Sequence, residues 1–272
     1  MSARTPCALS IAGSDSSAGA GLQADLKTFS ALGVYGATAV TAITAQNTLG
    51  VTAVHLVPGS IVAAQIDAVF SDLAISAVKT GMLGGEESIL AVSDRLERWA
   101  SGVPIVVDPV MVSTTGSRLL ERGAELALAE RLIPQAALLT PNRHEAAVLL
   151  NSDIARSEGD AKLQAERLLT LGPGAVLLKG GHDEGPEAVD LFFDGEKFRT
   201  YAAPRIQTKN THGTGCTLAS AIAAFLVRGY SLEEAIGHAK TYLHGALERS
   251  EDLNVGAGSG PVSHFYRHVA AP

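Results

Sequence analysis

The chain has 272 residues, enough to bury roughly three quarters of its unfolded surface in one large α/β domain without staples. Its net charge of −7, from 21 basic and 28 acidic residues, argues against nucleic acid or an anionic membrane as the main partner. Cys7 and Cys216 are the only cysteines, which leaves no disulfide framework and no cysteine zinc site. Met1 to Pro6 lack a signal-peptide core, and no apolar run reaches membrane-span length, so a soluble cytoplasmic protein is expected.

In chain order, Cys7 to Ala12 reads as a short buried strand, and Gly13 to Gly21 as a small, polar, Gly-rich loop. A helix pattern follows over Leu22 to Leu32, closed by Gly33. Val34 to Thr44 is rich in β-branched residues and predicts a strand ending at Ala45-Gln46-Asn47; Thr52 to Val57 predicts a shorter one. Pro58 opens a helix to about Ser71. Strand Ala74 to Lys79, loop Thr80 to Gly85 and helix Glu86 to Ala100 come next. Strand Val103 to Val107 ends in Asp108-Pro109, and a helix pattern covers Leu120 to Leu132. Strand Ala136 to Thr140 precedes Pro141-Asn142 and a helix over His144 to Leu150; another helix spans Asp160 to Leu171. Strand Ala175 to Leu178 ends in Lys179-Gly180-Gly181-His182. Ala188 to Phe193 and Lys197 to Ala202, around Asp194-Gly195, predict a β-hairpin. Ser231 with Glu234 forms a capping box for a last helix to about Arg249, and the Gly-rich tail Asn254 to Gly260 reads as loose.

Strands alternating with helices predict one α/β domain over 1–272, with a mostly parallel sheet covered on both faces. In such sheets ligands sit beyond the carboxyl ends of the strands. That rule gathers Gly13 to Gly21, Gln46, Lys79 to Gly81, Asp108, Asn142, Lys179 and the Gly213 loop.

The most informative stretch is Lys209-Asn210-Thr211-His212-Gly213-Thr214-Gly215-Cys216, with the apolar run Thr217 to Val227 behind it. Leu218, Ile222, Phe225 and Leu226 recur at helical spacing, so Gly213 to Cys216 falls at a helix N-terminus. Free backbone N–H groups and the positive end of the helix dipole make an anion site there. A thiol in that position is expected to be acidified. The loop therefore reads as a phosphoryl site, with Cys216 taking the proton of an attacking hydroxyl. The same residues also read as a helix capped by a tight glycine turn, with Cys216 a small buried hydrophobe.

Gly19-Ala20-Gly21-Leu22-Gln23-Ala24 matches a loose dinucleotide fingerprint, but the second strand ends in Gln46-Asn47 and not in the acid a ribose needs. No Walker-type G-x-x-x-x-G-K-[ST] occurs. Asn142 and Glu145 stand one helical turn apart; they read either as a helix cap or, with Asp108, as a hard-cation site holding Mg²⁺ largely through water. Lys179 can offer a charge to phosphates. His55, His182, His212 and His244 show no ligand spacing and read as structural or surface residues.

Taken in order, Ala12 to Thr28, Thr41 to Asn47, Lys79-Thr80-Gly81-Met82-Leu83, Asp108-Pro109-Val110-Met111, Thr140-Pro141-Asn142, Lys179 to His182 and Thr211 to Thr217 resemble the hydroxymethylpyrimidine/phosphomethylpyrimidine kinases of thiamine biosynthesis. The resemblance spans nearly the whole chain and implies a ribokinase-like three-layer α/β/α fold. It implies ATP-dependent, Mg²⁺-assisted phosphorylation of 4-amino-5-hydroxymethyl-2-methylpyrimidine, then of its monophosphate, by a homodimer. Pyridoxal kinase of the same superfamily is the alternative. Carried over by position, Gln46 would hydrogen-bond the pyrimidine, and Asp25, Gly13, Thr44, Met82 and Val110 would line its pocket. Gly213, Thr214 and Gly215 would form the anion hole beside Cys216. Lys179, Asn142 and Gly213 would face ATP, and Asp108 and Glu145 would organise the metal. The Ser14 to Ala18 loop departs from the family pattern, with Ser16 and Ala18 in place of Pro and Gly, which bears on loop stiffness.

Overall fold

β1 (Cys7–Asp15) sits inside the sheet and shows why the strands read as continuous apolar runs. Cys7, Leu9 and Ile11 belong to the core on one side, and Ala8 to the core on the other. Ile105 and Val107 against Val106, and Val176 and Leu178 against Leu177, divide the same way. Alternate side chains point to opposite faces, so a strand covered on both faces is apolar at every position. The computed structural model describes residues 5–111, 119–121, 123–181 and 185–268.

The remaining strands are β2 (Tyr35–Asn47), β3 (Gly50–Leu56), β4 (Ile75–Thr80), β5 (Ile105–Val107), β6 (Leu138–Leu139), β7 (Val176–Leu178), β8 (Glu187–Phe193) and β9 (Phe198–Pro204). Among the described residues, nine strands form one sheet in the order β3-β2-β1-β4-β5-β6-β7-β8-β9. The pairs from β2 through β7 are parallel. The edges are antiparallel, β3 on β2 at one side and the hairpin β8–β9 on β7 at the other. The expected mostly parallel sheet is therefore present, with hairpin additions where no crossover helix is available.

The helices are α1 (Gly21–Ala31), α2 (Gly59–Asp72), α3 (Glu86–Trp99), α4 (Ala124–Ala127), α5 (Arg143–Leu149), α6 (Glu158–Leu169), α7 (Thr214–Val227) and α8 (Leu232–Glu248). Phe29 of α1, Ile222 of α7 and Ile236 of α8 pack into one core; Ile66 of α2, Ile89 of α3 and Leu168 of α6 pack into the other. Three layers result. Capping boxes begin α5 (Asn142 with Glu145), α6 (Ser157 with Asp160) and α8 (Ser231 with Glu234).

Two expectations need correction. The predicted helix over 120–132 is regular only for Ala124–Ala127; it widens into a π turn over Leu128–Leu132 and ends in a 3₁₀ turn holding Pro134. Gly123, at φ +88°, delays its start, and Pro134, without an N–H, ends it. The carbonyl of Arg131 is taken instead by Ser93 Oγ and Gln135 Nε2, both at 2.9 Å.

The tail is not loose. Ser259 N–H donates to Thr48 O at 3.0 Å and Gly258 N–H to Thr48 Oγ1 at 3.1 Å, while His212 N–H donates to Gly260 O. The glycines serve close approach and not flexibility: a Cβ on Gly258 would lie 2.0 Å from Thr48 O. Val262 and His264 just beyond are buried.

Candidate active site

The parallel strands deliver their loops to one edge, and there the Gly-rich loop after β1 is organised by Asp15. Asp15 is buried and accepts from five donors: Ser17 N–H and Oγ on Oδ1, and Gly19 N–H, Ala20 N–H and His212 Nε2 on Oδ2. Burial alone would push its carboxyl up; the His212, Ser17 and Ala20 donors outweigh it and hold the group at about 2. Lys27 Nζ closes the loop by donating to Ala18 O at 2.7 Å. Gly19 and Gly21, which resemble a dinucleotide fingerprint, have a steric explanation. A Cβ on Gly19 would lie 2.4 Å from His212 Cδ2, and one on Gly21 2.4 Å from Gly13 O.

α7 begins at this loop. Its N-cap is Gly213, at φ +79°, with no side-chain cap. A Cβ there would lie 2.0 Å from Gly19 O, so the two loops touch main chain to main chain. Thr217 N–H donates to Gly213 O and Thr214 N–H to Thr211 O, whereas no acceptor among the described residues takes the Gly215 or Cys216 N–H. Thr214, Gly215 and Cys216 are half-buried. Two free donors at the positive end of a helix form an anion cradle.

The expected acidification of Cys216 is not found. Burial pushes its thiol up to about 11; the Lys79 ammonium opposes this, and the Asp25 and Asp108 carboxylates add to it. Desolvation of a thiolate under the loop exceeds what the helix dipole returns.

Beside Gly215 lies a charged cluster. Asp108, at the end of β5, accepts from Lys179 Nζ at 2.7 Å and from Thr140 Oγ1 at 3.3 Å. Lys179 Nζ stands 3.8 Å from Glu145 Oε2. A Cβ on Gly215 would come 3.3 Å from Lys179 Nζ and 3.7 Å from Asp108 Oδ2, so the cluster and the α7 N-terminus face one another. The helix-cap reading of Asn142 holds: Glu145 N–H donates to its Oδ1, and its own N–H donates to Glu145 Oε2. Burial pushes Glu145 up to about 7, against Lys179 and with Asp108. Burial works against the Lys179 ammonium, but Asp108 and Glu145 keep it charged above its ordinary range. Among the described residues no three His, Cys, Asp or Glu side chains converge as a metal cage. Asp108 and Glu145 suit a cation that keeps its waters and takes one or two carboxylates beside phosphate oxygens, which is the habit of Mg²⁺.

Gln46, half-buried, places its amide 3.3 Å from His212 and 3.2 Å from Thr44 Oγ1. Gly13 and Met82 adjoin: a Cβ on Gly13 would lie 2.9 Å from Met82 Sδ. Val110 is half-buried just past Asp108. Asp25 lies apart from these, fully buried beneath the loop. Its carboxylate accepts from Ser10 Oγ and Ser220 Oγ at 2.5 Å each, and from Lys79 Nζ at 2.9 Å. Burial works against the Lys79 ammonium, but Asp25 outweighs it and raises it above its ordinary range. In the sequence, the strand-end rule gathers Asp15 and Lys79 without giving either a specific role, Ser10 reads only as part of a strand, and His212 reads as a structural or surface residue. His182 lies outside the described residues, while Tyr201 O–H reaches Glu233 O on α8, tying the edge hairpin down.

Residues 15–263 match the profile of the phosphomethylpyrimidine kinase family. The chain belongs to that family. It is 56% identical over 263 residues to the hydroxymethylpyrimidine/phosphomethylpyrimidine kinase of Rhizobium meliloti, covering 97% of this chain and 98% of that one. It is 48% identical over 259 residues to the Escherichia coli enzyme of the same name, 95% and 97% covered. Among solved structures, a phosphomethylpyrimidine kinase from Clostridium difficile superposes with a TM-score of 0.79 at 44% identity, covering 90% and 100%. The pyridoxal kinase of Staphylococcus aureus, in complex with AMP-PCP and pyridoxal, gives 0.88 at 35%, covering 98% and 96%. The fold is thus the ribokinase-like three-layer α/β/α arrangement. This family member is a phosphotransferase of thiamine biosynthesis, a kinase of hydroxymethylpyrimidine and its phosphate.

Proposed function

We propose that the cleft between the Gly213 loop and the Gln46 strand end carries both phosphorylations. The terminal phosphoryl group of one ATP passes to the hydroxymethyl oxygen of 4-amino-5-hydroxymethyl-2-methylpyrimidine, and that of a second ATP to the phosphate of the product, with ADP leaving each time. The observation that carries this reading is the pair of unclaimed N–H groups of Gly215 and Cys216 at the start of α7, with Gly215 set against Lys179 and Asp108.

Phosphoryl transfer asks for alignment and charge neutralisation more than covalent help. Gly213, Thr214, Gly215 and the α7 dipole would cradle the transferring group. Lys179 and Asn142 would face the nucleotide. Mg²⁺, held through water by Asp108 and Glu145, would neutralise phosphate charge. Gln46, with Thr44, Gly13, Met82 and Val110, would hold the pyrimidine, and Asp25 would set the loop from below. Cys216 would accept the alcohol proton in the first step, and the second acceptor, already an anion, needs no such help.

We further propose a cytoplasmic homodimer acting as one domain. No helix among the described residues is long and apolar enough to cross a membrane. The β2–β3 arm leaves Ile43, Leu49, Val54 and Leu56 exposed, a surface suited to a second copy.

The test is a mass-spectrometric assay with ATP, Mg²⁺ and the hydroxymethylpyrimidine. Mono- and diphosphate in succession support the assignment; no turnover of this alcohol beside efficient turnover of pyridoxal would replace it with the alternative kinase.

A further inference from the structure

The loop aspartate holds His212, and His212 in turn stands against the Gln46 carboxamide. Asp15 Oδ2 already accepts the Gly19 and Ala20 N–H groups and lies 2.8 Å from His212 Nε2. A carboxylate oxygen so placed only accepts, so His212 Nε2 carries a hydrogen and donates it. The same nitrogen is 3.3 Å from one end of the Gln46 amide, and Thr44 Oγ1 is 3.2 Å from the other. Thr44 has a single hydroxyl hydrogen, and it is given to Ser14 O at 2.8 Å.

Each flank therefore has one demand. The single hydrogen of His212 Nε2 goes to Asp15, so that nitrogen has no lone pair left and can take no donor; Thr44 offers lone pairs and takes one. An amide exchanges its two ends by a half-turn about its last bond, with no other movement. With Nε2 at the His212 end, N–H meets N–H and oxygen meets lone pairs. With Oε1 at the His212 end and the NH₂ at Thr44, Thr44 accepts a hydrogen and Oε1 lies against the polarised imidazole N–H with no N–H opposed. The second orientation is the stable one, because an unmatched polar group under cover is costly.

We propose that Asp15 and His212, with Thr44, lock the Gln46 amide in this orientation, which makes His212 a specificity-determining positioning residue. The locked amide keeps one acceptor lone pair and one N–H free for the cleft, in a set order. A ring with an acceptor nitrogen beside an exocyclic amino group matches that order; a ring with N–H beside a carbonyl presents the reverse. This rests on the reading that Gln46 faces the pyrimidine.

The experiment compares kcat/KM for 4-amino-5-hydroxymethyl-2-methylpyrimidine and its 4-oxo counterpart in wild type, His212→Phe, Thr44→Val and Gln46→Ala. Freed to turn, the amide accepts either ring, so the preference for the amino ring falls at least about tenfold in His212→Phe and in Thr44→Val, mainly through KM. An unchanged preference in both variants overturns the lock. If Gln46→Ala alone abolishes the preference, the ring contact stands and only the lock fails; if Gln46→Ala leaves the preference intact, the ring contact itself is wrong and the lock falls with it. A ¹⁵N correlation spectrum of the wild-type imidazole needs no variant to fold. A protonated Nε2 on His212 is expected, and a bare Nε2 overturns the proposal.

Discussion

At the scale of single residues, Cys216 decides the most. Its thiol, pushed up to about 11 by burial, is ionised in only about one molecule in ten thousand at pH 7. A base of that kind gains strength as pH rises. For the first phosphorylation, kcat/KM is expected to climb from pH 7 toward 9 without levelling near neutrality, since that ratio reports the free enzyme. Cys216→Ala should abolish the climb, slow the first step by roughly 10- to 100-fold and change the second far less. Equal losses in separately assayed steps would make Cys216 a part of the loop's shape. Asp15 is the stability counterpart. Its folded value of about 2 lies below that of an unfolded carboxylate, so its contribution is complete above about pH 4 and is lost as pH falls through 2. The shift corresponds to roughly 2 kcal/mol. Urea unfolding should show wild type losing that margin between about pH 4 and 2, and Asp15→Asn weaker by that amount at pH 7 with the corresponding part of the acid dependence gone. Ala18 answers the question of loop stiffness: it sits at φ +61°, where an L residue is strained. Ala18→Gly is expected to stabilise the protein by about 1 kcal/mol, read from the same urea curves.

At the scale of elements, α7 joins core and chemistry. Its outer end rests on Leu218, Ala221, Ile222 and Phe225, all buried, and its open end on Gly213. Ile222→Ala should cost about 2–5 kcal/mol of stability with the site chemistry intact in the folded fraction. Gly213→Ala is the opposite experiment. A Cβ would meet Gly19 O at 2.0 Å, at a positive φ, so the anion cradle must move off the Gly-rich loop. Activity is expected to fall by at least about 100-fold with the far-ultraviolet dichroism preserved; a normal rate would remove the cradle from the mechanism. This element was legible beforehand, because the spacing of Leu218, Ile222 and Phe225 and the glycines at 213 and 215 are local signals. The helix over 120–132 was less so, since the demand of Ser93 Oγ for the Arg131 carbonyl comes from another helix.

At the scale of the whole molecule, the β2–β3 arm projects Ile43, at 54% exposure, and Leu49, at 68%, from an antiparallel edge. Exposed apolar side chains grouped on one arm favour pairing with a second copy. Sedimentation should give a dimer for the wild type and a monomer for Ile43→Glu; a monomeric wild type would remove the dimer. What the amino-acid order determined alone was the alternation of elements, the two-faced apolar strands, the caps at Asn142 and Ser231 and the glycine-flanked N-terminus of α7, because each depends on neighbours within a few positions. Only the tertiary structure decided the state of the groups between them. Asp25 and Lys79 are 54 positions apart, Asp15 and His212 197 apart, yet each pair is one hydrogen bond in space. Charge, tautomer and thiol acidity at the site follow from those contacts and from burial, and neither contact nor burial is a property of any stretch read by itself.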